Sequence, residues 1–268
     1  MNSLFDLNGK VALVTGGTGL LGREHCTALA EAGAHVVVAD LDKDRCSQFA
    51  AGLSTPSIGL AMDVTDKRSI LLVKDEIMKS YGRLDILVNN AAINDMFESP
   101  QAAAEQSKFE NYPLEFWQKS MSVNVTGMFL CSQTLGVIMA GQKSGSIINI
   151  ASTYGVVAPN QGIYRDSEGT QKFYKSAAYP TTKGAVLAFT RFLAAYWGSA
   201  GVRVNALSPG GVENSQDQFF IQQYAANTPL NRMAHTGDYK GAIVFLASDA
   251  SSYMTGANLI VDGGWTAW

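Results

Sequence analysis

The chain has 268 residues, of which 47% are hydrophobic and 16% are charged, and this balance permits a large buried core and excludes an intrinsically disordered protein. A net charge of -3 gives no basic surface for nucleic acid or for an anionic membrane, so neither is expected as a partner. The absence of a membrane-length apolar run and of a signal-peptide layout predicts a cytoplasmic protein. The three cysteines and three histidines lack metal-ligand spacing, which predicts buried reduced thiols and no bound metal.

Strand-like and helical patterns alternate along the whole chain. Strands are predicted near 10–14, 35–39, 57–62, 84–88, 145–150, 202–207 and 258–262, and helices near 20–32, 70–81, 113–140, 177–197 and 239–247. Strands separated by helices predict right-handed βαβ crossovers and a parallel sheet. We therefore expect one α/β domain over residues 1–268, a Rossmann-type doubly wound parallel sheet with helices on both faces.

A glycine-rich turn, Thr15-Gly-Gly-Thr-Gly-Leu-Leu-Gly22, joins the first predicted strand to the first predicted helix. Such glycines let a pyrophosphate approach the peptide N–H groups at the helix N-terminus. Asp40 ends the next strand, where a carboxylate accepts hydrogen bonds from the adenosine ribose. The sequence therefore predicts a dinucleotide site that prefers NAD(H), because Asp40 would repel the 2′-phosphate of NADP(H). Lys43 and Arg45 leave open the alternative that a basic side chain contacts such a phosphate.

Tyr179 and Lys183 lie four residues apart in a predicted helix and therefore share one face. A phenol has a pKa of about 10 and is a poor base at neutral pH, but a nearby ammonium stabilises the phenolate and lowers that pKa. The pair is thus a candidate proton shuttle. Taken alone, the spacing is equally compatible with a pair of surface residues on a helix.

In their order along the chain, these motifs resemble the short-chain dehydrogenase/reductase family, in its compact single-domain branch. The resemblance extends from Gly9 to the end of the chain. Besides the turn and the Tyr/Lys pair it includes the motifs Asp63-Val64, Asn89-Asn-Ala91, Val-Asn-Val-Thr-Gly around Asn124, Asn-Ile-Ala-Ser ending at Ser152, Pro209-Gly-Gly-Val212 and Val261-Asp-Gly-Gly264.

The resemblance implies an oxidoreductase that transfers a hydride between a nicotinamide cofactor and a hydroxyl or carbonyl group. It implies that Tyr179 is the general acid/base and that Lys183 both lowers its pKa and holds the nicotinamide ribose. Ser152 would hydrogen-bond the reacting oxygen, and Asn124 would hold a water in a proton relay. Judged by the residues alone, Asn124 could instead bridge a helix kink and Ser152 could cap a loop.

The resemblance also implies a set of cofactor contacts. One departure concerns Leu20, which replaces the middle glycine of the usual turn, so that the spacing of Gly16, Gly19 and Gly22 resembles the extended branch of the family. That branch contains nucleotide-sugar epimerases and dehydratases, which stay open as an alternative, together with a non-catalytic NAD(P)-sensing protein. The implied cofactor-binding residues are Gly16, Thr18, Gly19, Leu20, Leu21, Gly22, Asp40, Leu41, Asp63, Val64, Asn90, Ala91, Ala92, Tyr179, Lys183, Pro209, Gly210, Gly211 and Val212.

Tyr179 follows Ser152 by 27 positions, about twice the spacing usual in the family, so residues 160–176 are predicted to be an insert at the substrate mouth. The insert, the predicted lid at 213–232 and the segment 94–111 are all polar. Their polarity favours a sugar, sugar acid or polyol, although ordinary solvated loops would look the same. The candidate substrate-binding residues are Thr153, Arg165, Lys172, Lys175, Glu213 and Asn214.

Two further expectations concern loops and assembly. The segment from Ser152 to Pro159, together with the insert, resembles family members linked to the modification of flagellin and surface-polysaccharide sugars.

The predicted helices 113–140 and 177–197 carry apolar residues on more than one face, including Phe129, Phe189 and Phe192, which is more than packing on one sheet requires. The resemblance implies that this surplus is buried in a homotetramer with D2 symmetry.

Overall fold

The computed structural model describes residues 3–94 and 100–268 of the chain. Its strands are β1 (Val11–Thr15), β2 (His35–Asp40), β3 (Ile58–Ala61), β4 (Ile86–Asn89), β5 (Gly145–Ile150), β6 (Val202–Pro209) and β7 (Asn258–Val261). They form one sheet in the order β3-β2-β1-β4-β5-β6-β7, and every neighbouring pair is parallel. The predicted Rossmann-type fold class is confirmed.

The helices of the described residues connect these strands. They are α1 (Leu20–Glu31), α2 (Lys43–Ala51), α3 (Lys67–Tyr81), α4 (Pro100–Gln106), α5 (Leu114–Met121), α6 (Met128–Gln142), α7 (Ala178–Trp197), α8 (Gln218–Ala226) and α9 (Lys240–Ala247). The sequence did not predict α2, α4 or α8. The predicted polar segment 94–111 contains α4, but its residues 95–99, among them Glu98, lie outside the described residues.

Each face of the sheet is covered by an apolar layer, because successive side chains of a strand point to opposite faces. Ala12 and Val14 pack with side chains of α1 and α9. Val11 and Leu13 pack with side chains of α3, α6 and α7 on the other face. Burial on both faces explains why the strands read as continuous apolar runs. The three cysteines are buried free thiols, as predicted.

The predicted helix at 113–140 is a continuous helical segment with a π-helical turn, Ser122–Gly127, between α5 and α6. By length and composition the segment Leu114–Gln142 would also suit a membrane span. Its residues Cys131, Leu135 and Met139 are fully buried against the sheet, which identifies α6 as a core helix of this fold. π-helical turns occur frequently at functional sites, and this one faces the site described below.

The carboxyl ends of the central strands converge at one edge of the sheet because all the strands are parallel. The glycine-rich turn follows β1, Asn90 follows β4, Ser152 follows β5, and Gly210 follows β6. Strand order reverses between β1 and β4. Ligands of open α/β sheets bind outside the carboxyl ends of the strands at such a reversal, so the topology brings the sequence motifs together at the place where a ligand is expected.

Candidate active site

The glycine-rich turn after β1 presents main chain to a cavity. Gly16 has a φ of 62°, a left-handed conformation that glycine adopts without strain. A Cβ on Gly22 would lie 2.0 Å from the carbonyl oxygen of Gly16, and a Cβ on Gly16 would lie 2.9 Å from the Cα of Ala91. Gly19 is the N-cap residue of α1 and supplies no side-chain cap. The first N–H groups of α1 are therefore suited to bind an anion.

Two side chains hold this turn in place. The Nδ2 of Asn90 donates to the carbonyl oxygens of Thr15 at 2.9 Å and Gly16 at 3.0 Å. The carboxylate of Asp40 accepts from the Thr18 amide at 3.1 Å and from the Thr18 hydroxyl at 2.6 Å. Asp40 also lines the cavity, so its carboxylate is fixed at the position where the sequence predicts the adenosine ribose.

The cavity behind the turn has a volume of about 910 Å³ and adjoins a cleft of about 490 Å³. Leu20, Leu21, Asn90 and Ala92 line both spaces. Every predicted cofactor residue lines one or the other except Thr18, which bonds Asp40 instead. Leu20 is 44% exposed and not in a left-handed conformation, so this position does not require the glycine usual in the compact branch.

Sequence reasoning missed part of the cavity wall. Met62 and Thr65 flank the Asp63-Val64 motif, and Ile93 follows the Asn89-Asn-Ala motif. The other missed residues come from the end of α5 and the π-helical turn. The motif around Asn124 was the available signal, but it was interpreted only through Asn124 itself. The missed residues that line the cavity are Met62, Thr65, Ile93, Gln118, Lys119, Ser122 and Val123.

Three of the four predicted catalytic side chains, Ser152, Tyr179 and Lys183, meet in the smaller cleft. Ser152 follows β5, while Tyr179 and Lys183 lie on successive turns of α7. The Ser152 hydroxyl interacts with the Tyr179 phenol. Lys183 is 3% exposed, and its Nζ donates to the carbonyl oxygen of Ile150 at 2.8 Å. The Ser152 hydroxyl also accepts from the Tyr154 amide at 3.2 Å, so it caps a loop in addition to contacting Tyr179.

The direction predicted for the Tyr179 pKa differs from the one that the structure indicates. Burial raises the pKa of Tyr179, and the interaction with Ser152 opposes that shift. The Lys183 ammonium is engaged by Ile150 and lies 5.6 Å from the centroid of the Tyr179 ring. Burial, and then the Lys175 charge, lower the pKa of Lys183 to about 8, so Lys183 is still mostly protonated at pH 7. The four-residue spacing between Tyr179 and Lys183 in the sequence does not show whether the fold buries these side chains.

Asn124 lies in the π-helical turn and is buried. Its Oδ1 accepts from the Ile93 amide at 2.8 Å, and its Nδ2 donates to the Ile93 carbonyl at 3.0 Å and to the Thr182 hydroxyl at 3.2 Å. These contacts tie the loop after β4 to α7, next to Lys183. The role of Asn124 in a proton relay stays a prediction.

The wall of the cleft near Tyr179 is aromatic, which the sequence did not predict. The ring of Tyr164 lies 5.4 Å from the rings of both Phe173 and Phe220, measured between centroids. Tyr224 stacks on Trp265 at 4.4 Å. The insert thus turns apolar side chains inward although its composition is polar. Besides Tyr179, the aromatic side chains that line the cleft are Tyr154, Tyr164, Phe173, Phe220 and Tyr224.

The predicted substrate residues separate into two groups. Arg165 is exposed and donates to Gln171, and Lys172 has a side chain that is 66% exposed and pairs with Asp166 at 3.1 Å. Glu213 and Asn214 are also exposed and lie outside the cleft lining. Only two of the predicted residues, Thr153 and Lys175, line the cleft.

The arrangement combines a phenol, a hydroxyl, the buried ammonium of Lys183 and the half-buried ammonium of Lys175 beside a cavity with an uncapped helix N-terminus. Such a set can donate or accept a proton at an oxygen of a small molecule while main-chain N–H groups hold a phosphate. Within residues 3–94 and 100–268, no cluster of three His, Cys, Asp or Glu side chains is placed to hold a metal ion. The described residues of the cleft are suited to proton transfer at an oxygen of a ligand, next to a cavity whose glycine-rich turn suits a dinucleotide.

Comparisons with known proteins agree with this geometry. A family model described as enoyl-(acyl carrier protein) reductase matches residues 19–266. D-threitol dehydrogenase of Mycolicibacterium smegmatis is 33% identical over 98% of this chain and 95% of its own length. NAD-dependent glycerol dehydrogenase of Listeria innocua is 32% identical over 98% of this chain and 96% of its own length.

Among solved structures, a gluconate 5-dehydrogenase from Burkholderia cenocepacia in complex with NADP and tartrate superimposes with a TM-score of 0.85. It is 30% identical, and the match covers 99% of this chain and 98% of that chain. The match of a family model to nearly the whole chain, the order of the motifs and the shared fold lead to one conclusion: the chain belongs to the short-chain dehydrogenase/reductase family.

Proposed function

We propose that this protein is an NAD(P)-dependent dehydrogenase that oxidises a secondary hydroxyl of a polyol or sugar, or reduces the corresponding carbonyl. The observation that carries the proposal is the convergence of Tyr179, Ser152 and Lys183 in one cleft, which adjoins the cavity behind the glycine-rich turn. A base, an oxygen-binding donor and a dinucleotide site are the parts that hydride chemistry at a hydroxyl group requires.

The residues present fit a nicotinamide dinucleotide. A Cβ at Gly16 or Gly22 would fill the cradle that the turn forms, and the uncapped N-terminus of α1 is suited to the pyrophosphate. Asp40 and Asp63 line the cavity where the adenosine would lie. The cofactor, when bound, supplies the group that accepts or gives the hydride.

The side chains of the cleft supply the remaining steps. Tyr179 accepts the proton of the substrate hydroxyl during oxidation and returns it during reduction. Ser152 donates a hydrogen bond to the same oxygen and stabilises its developing charge. Lys183 holds the ribose next to the nicotinamide, and Asn124 lies behind it on a route for the proton to leave. These two last roles follow the family resemblance.

The substrate class is supported by relatives and by the cleft wall. The relatives include enzymes named for D-threitol and glycerol, and the solved gluconate 5-dehydrogenase contains tartrate, so polyhydroxylated compounds recur. Within the cleft the hydroxyls of Tyr154 and Tyr164 lie 3.2 Å apart. Aromatic rings that carry hydroxyls pair an apolar face with a hydrogen-bonding group, which suits the C–H faces and hydroxyls of a sugar or polyol.

The direct experiment screens purified protein against polyols, sugars and sugar acids with NAD+ and with NADP+, and measures reduced cofactor. We expect turnover of at least one polyhydroxylated compound and none by the Tyr179→Phe variant. Secondary alcohols without further hydroxyls, such as steroids, serve as the control class. Turnover of the steroids and of none of the polyhydroxylated compounds would refute the substrate assignment.

The cofactor preference that we propose is NAD(H). Asp40 is fixed by Thr18 and lines the cavity, so its carboxylate would accept from a 2′-hydroxyl and repel a 2′-phosphate. Both cofactors occur among the relatives, since one is named NAD-dependent and one is in complex with NADP. Dissociation constants measured for NADH and NADPH should show tighter binding of NADH. Tighter binding of NADPH would instead implicate Lys43 or Arg45 in a phosphate contact.

We also propose that the protein assembles as a homotetramer with D2 symmetry. Phe192 and Tyr196 of α7 are 61% and 65% exposed, and their rings stack with centroids 5.9 Å apart. Phe129 of α6 is 42% exposed beside Phe189. A contiguous exposed aromatic surface of this kind marks an interaction site. Light scattering at micromolar concentration should report four copies, and a monomer would contradict the proposal.

A further inference from the structure

Lys175 brings a second positive charge to Tyr179. Its Nζ lies 4.3 Å from the centroid of the Tyr179 ring, closer than the Nζ of Lys183 at 5.6 Å. Lys175 belongs to the insert at 160–176, and Lys183 belongs to α7. Among the described residues that line the cleft, these two lysines are the only charged side chains.

The insert is folded so that it fixes the main chain of Lys175. The Oε1 of Gln161 accepts from the Lys175 amide at 2.9 Å, and the Nε2 of Gln161 donates to the Lys175 carbonyl at 2.9 Å. Gln171 then donates to the carbonyls of Gln161 at 2.8 Å and Phe173 at 2.7 Å. At the tip of the side chain, the Lys175 Nζ donates to the Oδ1 of Asn94 at 2.7 Å.

The surroundings of Tyr179 oppose its ionisation. Burial raises the pKa of Tyr179. The groups that face it are the hydroxyl of Ser152, the ammonium groups of Lys175 and Lys183, and neighbouring phenols. The described lining residues of the cleft include no carboxylate. The phenols that interact electrostatically with Tyr179 are Tyr154, Tyr164 and Tyr224.

We propose that Lys175 is a positioning residue that acts through Tyr179: its ammonium stabilises the phenolate and lowers the pH at which Tyr179 accepts the substrate proton. A cation above an aromatic ring is attracted to it, and the attraction increases when the ring carries a negative charge. The insert then has a defined purpose, which is to carry this charge to the ring. The inference deepens the proposed function and rests on it for its kinetic test.

The kinetic test compares the pH dependence of kcat/KM for alcohol oxidation in the wild type and in Lys175→Met. Activity rises with pH as Tyr179 loses its proton. Because a positive charge favours the phenolate, its removal raises the pKa of Tyr179 and moves this rise to higher pH. A unit charge at this distance in a partly buried site predicts a shift of about one pH unit or more.

Two variants control for other effects of the substitution. Lys175→Arg keeps the charge and should restore the wild-type pH profile. Lys172→Met removes an insert lysine that lies outside the cleft lining and pairs with Asp166, and it should leave the profile unchanged. An unshifted profile in Lys175→Met would overturn the proposal. A higher KM with an unshifted profile would overturn it equally and would show that Lys175 binds the substrate instead.

A second measurement needs no substrate. Tyrosinate absorbance is titrated in the wild type and in Lys175→Met, and in each case the titration of the matching Tyr179→Phe protein is subtracted. The difference reports the ionisation of Tyr179 together with its effect on the neighbouring phenols, and its midpoint should be higher in Lys175→Met. Equal midpoints would refute the role of Lys175 even if no substrate is found. Inactivity of the wild type on every compound would count against the proposed function only.

Discussion

The part of the cavity around the glycine-rich turn is formed by main chain, whereas the wall of the cleft around Tyr179 is formed by aromatic side chains. Around Gly16 and Gly22 the wall consists of peptide groups and the uncapped start of α1. Around Tyr179 the wall consists of rings contributed by the insert and α8. A substitution alters a wall built from main chain only if it shifts the backbone. By contrast, replacing any one ring alters an aromatic wall directly. The same fold can therefore keep one cofactor chemistry and vary its substrate.

Adding a single methyl group to the main-chain wall should have the largest effect. In Gly22→Ala the new Cβ would lie 2.0 Å from the Gly16 carbonyl oxygen, so the turn must shift. We expect destabilisation of about 3 kcal/mol and loss of measurable NADH binding. Thermal unfolding and titration with NADH test the two effects separately.

Gly141→Ala is the matched control for that substitution. Gly141 lies in α6, and no atom lies within 4 Å of the position of its Cβ. Alanine in a helix is favoured over glycine by roughly 0.5–1 kcal/mol, so this variant should unfold at a slightly higher temperature and bind NADH normally. If Gly22→Ala behaved like Gly141→Ala, the close packing of the turn would be refuted.

Removing one ring from the aromatic wall should have a smaller and more selective effect. Phe173→Ala deletes the ring that contacts Tyr164 at 5.4 Å. The lost contact predicts an increase of about tenfold in the KM of the substrate, since burial of such a ring contributes roughly 1.5–3 kcal/mol. The dissociation constant of NADH should not change, because Phe173 lines the cleft and not the cavity behind the turn.

The exposed Phe109 provides the control for this loss of a ring. Phe109 is 81% exposed and lies outside the cleft lining, so Phe109→Ala should keep the wild-type KM. An equal KM in Phe173→Ala and Phe109→Ala would show that the aromatic wall does not contact the substrate. A weaker affinity for NADH in Phe173→Ala would show that the two sides of the cleft are not separable.

The strands and the positions of Asp40, Ser152 and Tyr179 could be predicted because each depends on a local pattern. An apolar run predicts a strand buried on both faces, and a residue after that run lies at the carboxyl edge of the sheet. The short helices α2, α4 and α8 were missed. The insert depends on contacts between distant positions, such as the pairing of Gln161 with Lys175.

Polarity of the sequence was a poor guide to the surface that the insert presents. Its charged residues Arg165 and Lys172 bond to other residues of the insert on the outside, and two of its rings, Tyr164 and Phe173, line the cleft. The same limit applies to the pKa of Tyr179, because burial decides its direction and a four-residue spacing does not reveal burial. The composition of a segment gives the number of its polar and apolar side chains, but it does not show which of them face the site.

We propose that Tyr179 transfers the proton next to a cofactor site that other residues form. The Tyr179→Phe variant is the direct test of this role. The variant removes one hydroxyl from the cleft and leaves the main-chain wall intact. We predict that kcat falls by about two to four orders of magnitude while the dissociation constant of NADH stays within about twofold of the wild type. A kcat close to that of the wild type would show that Tyr179 does not transfer the proton.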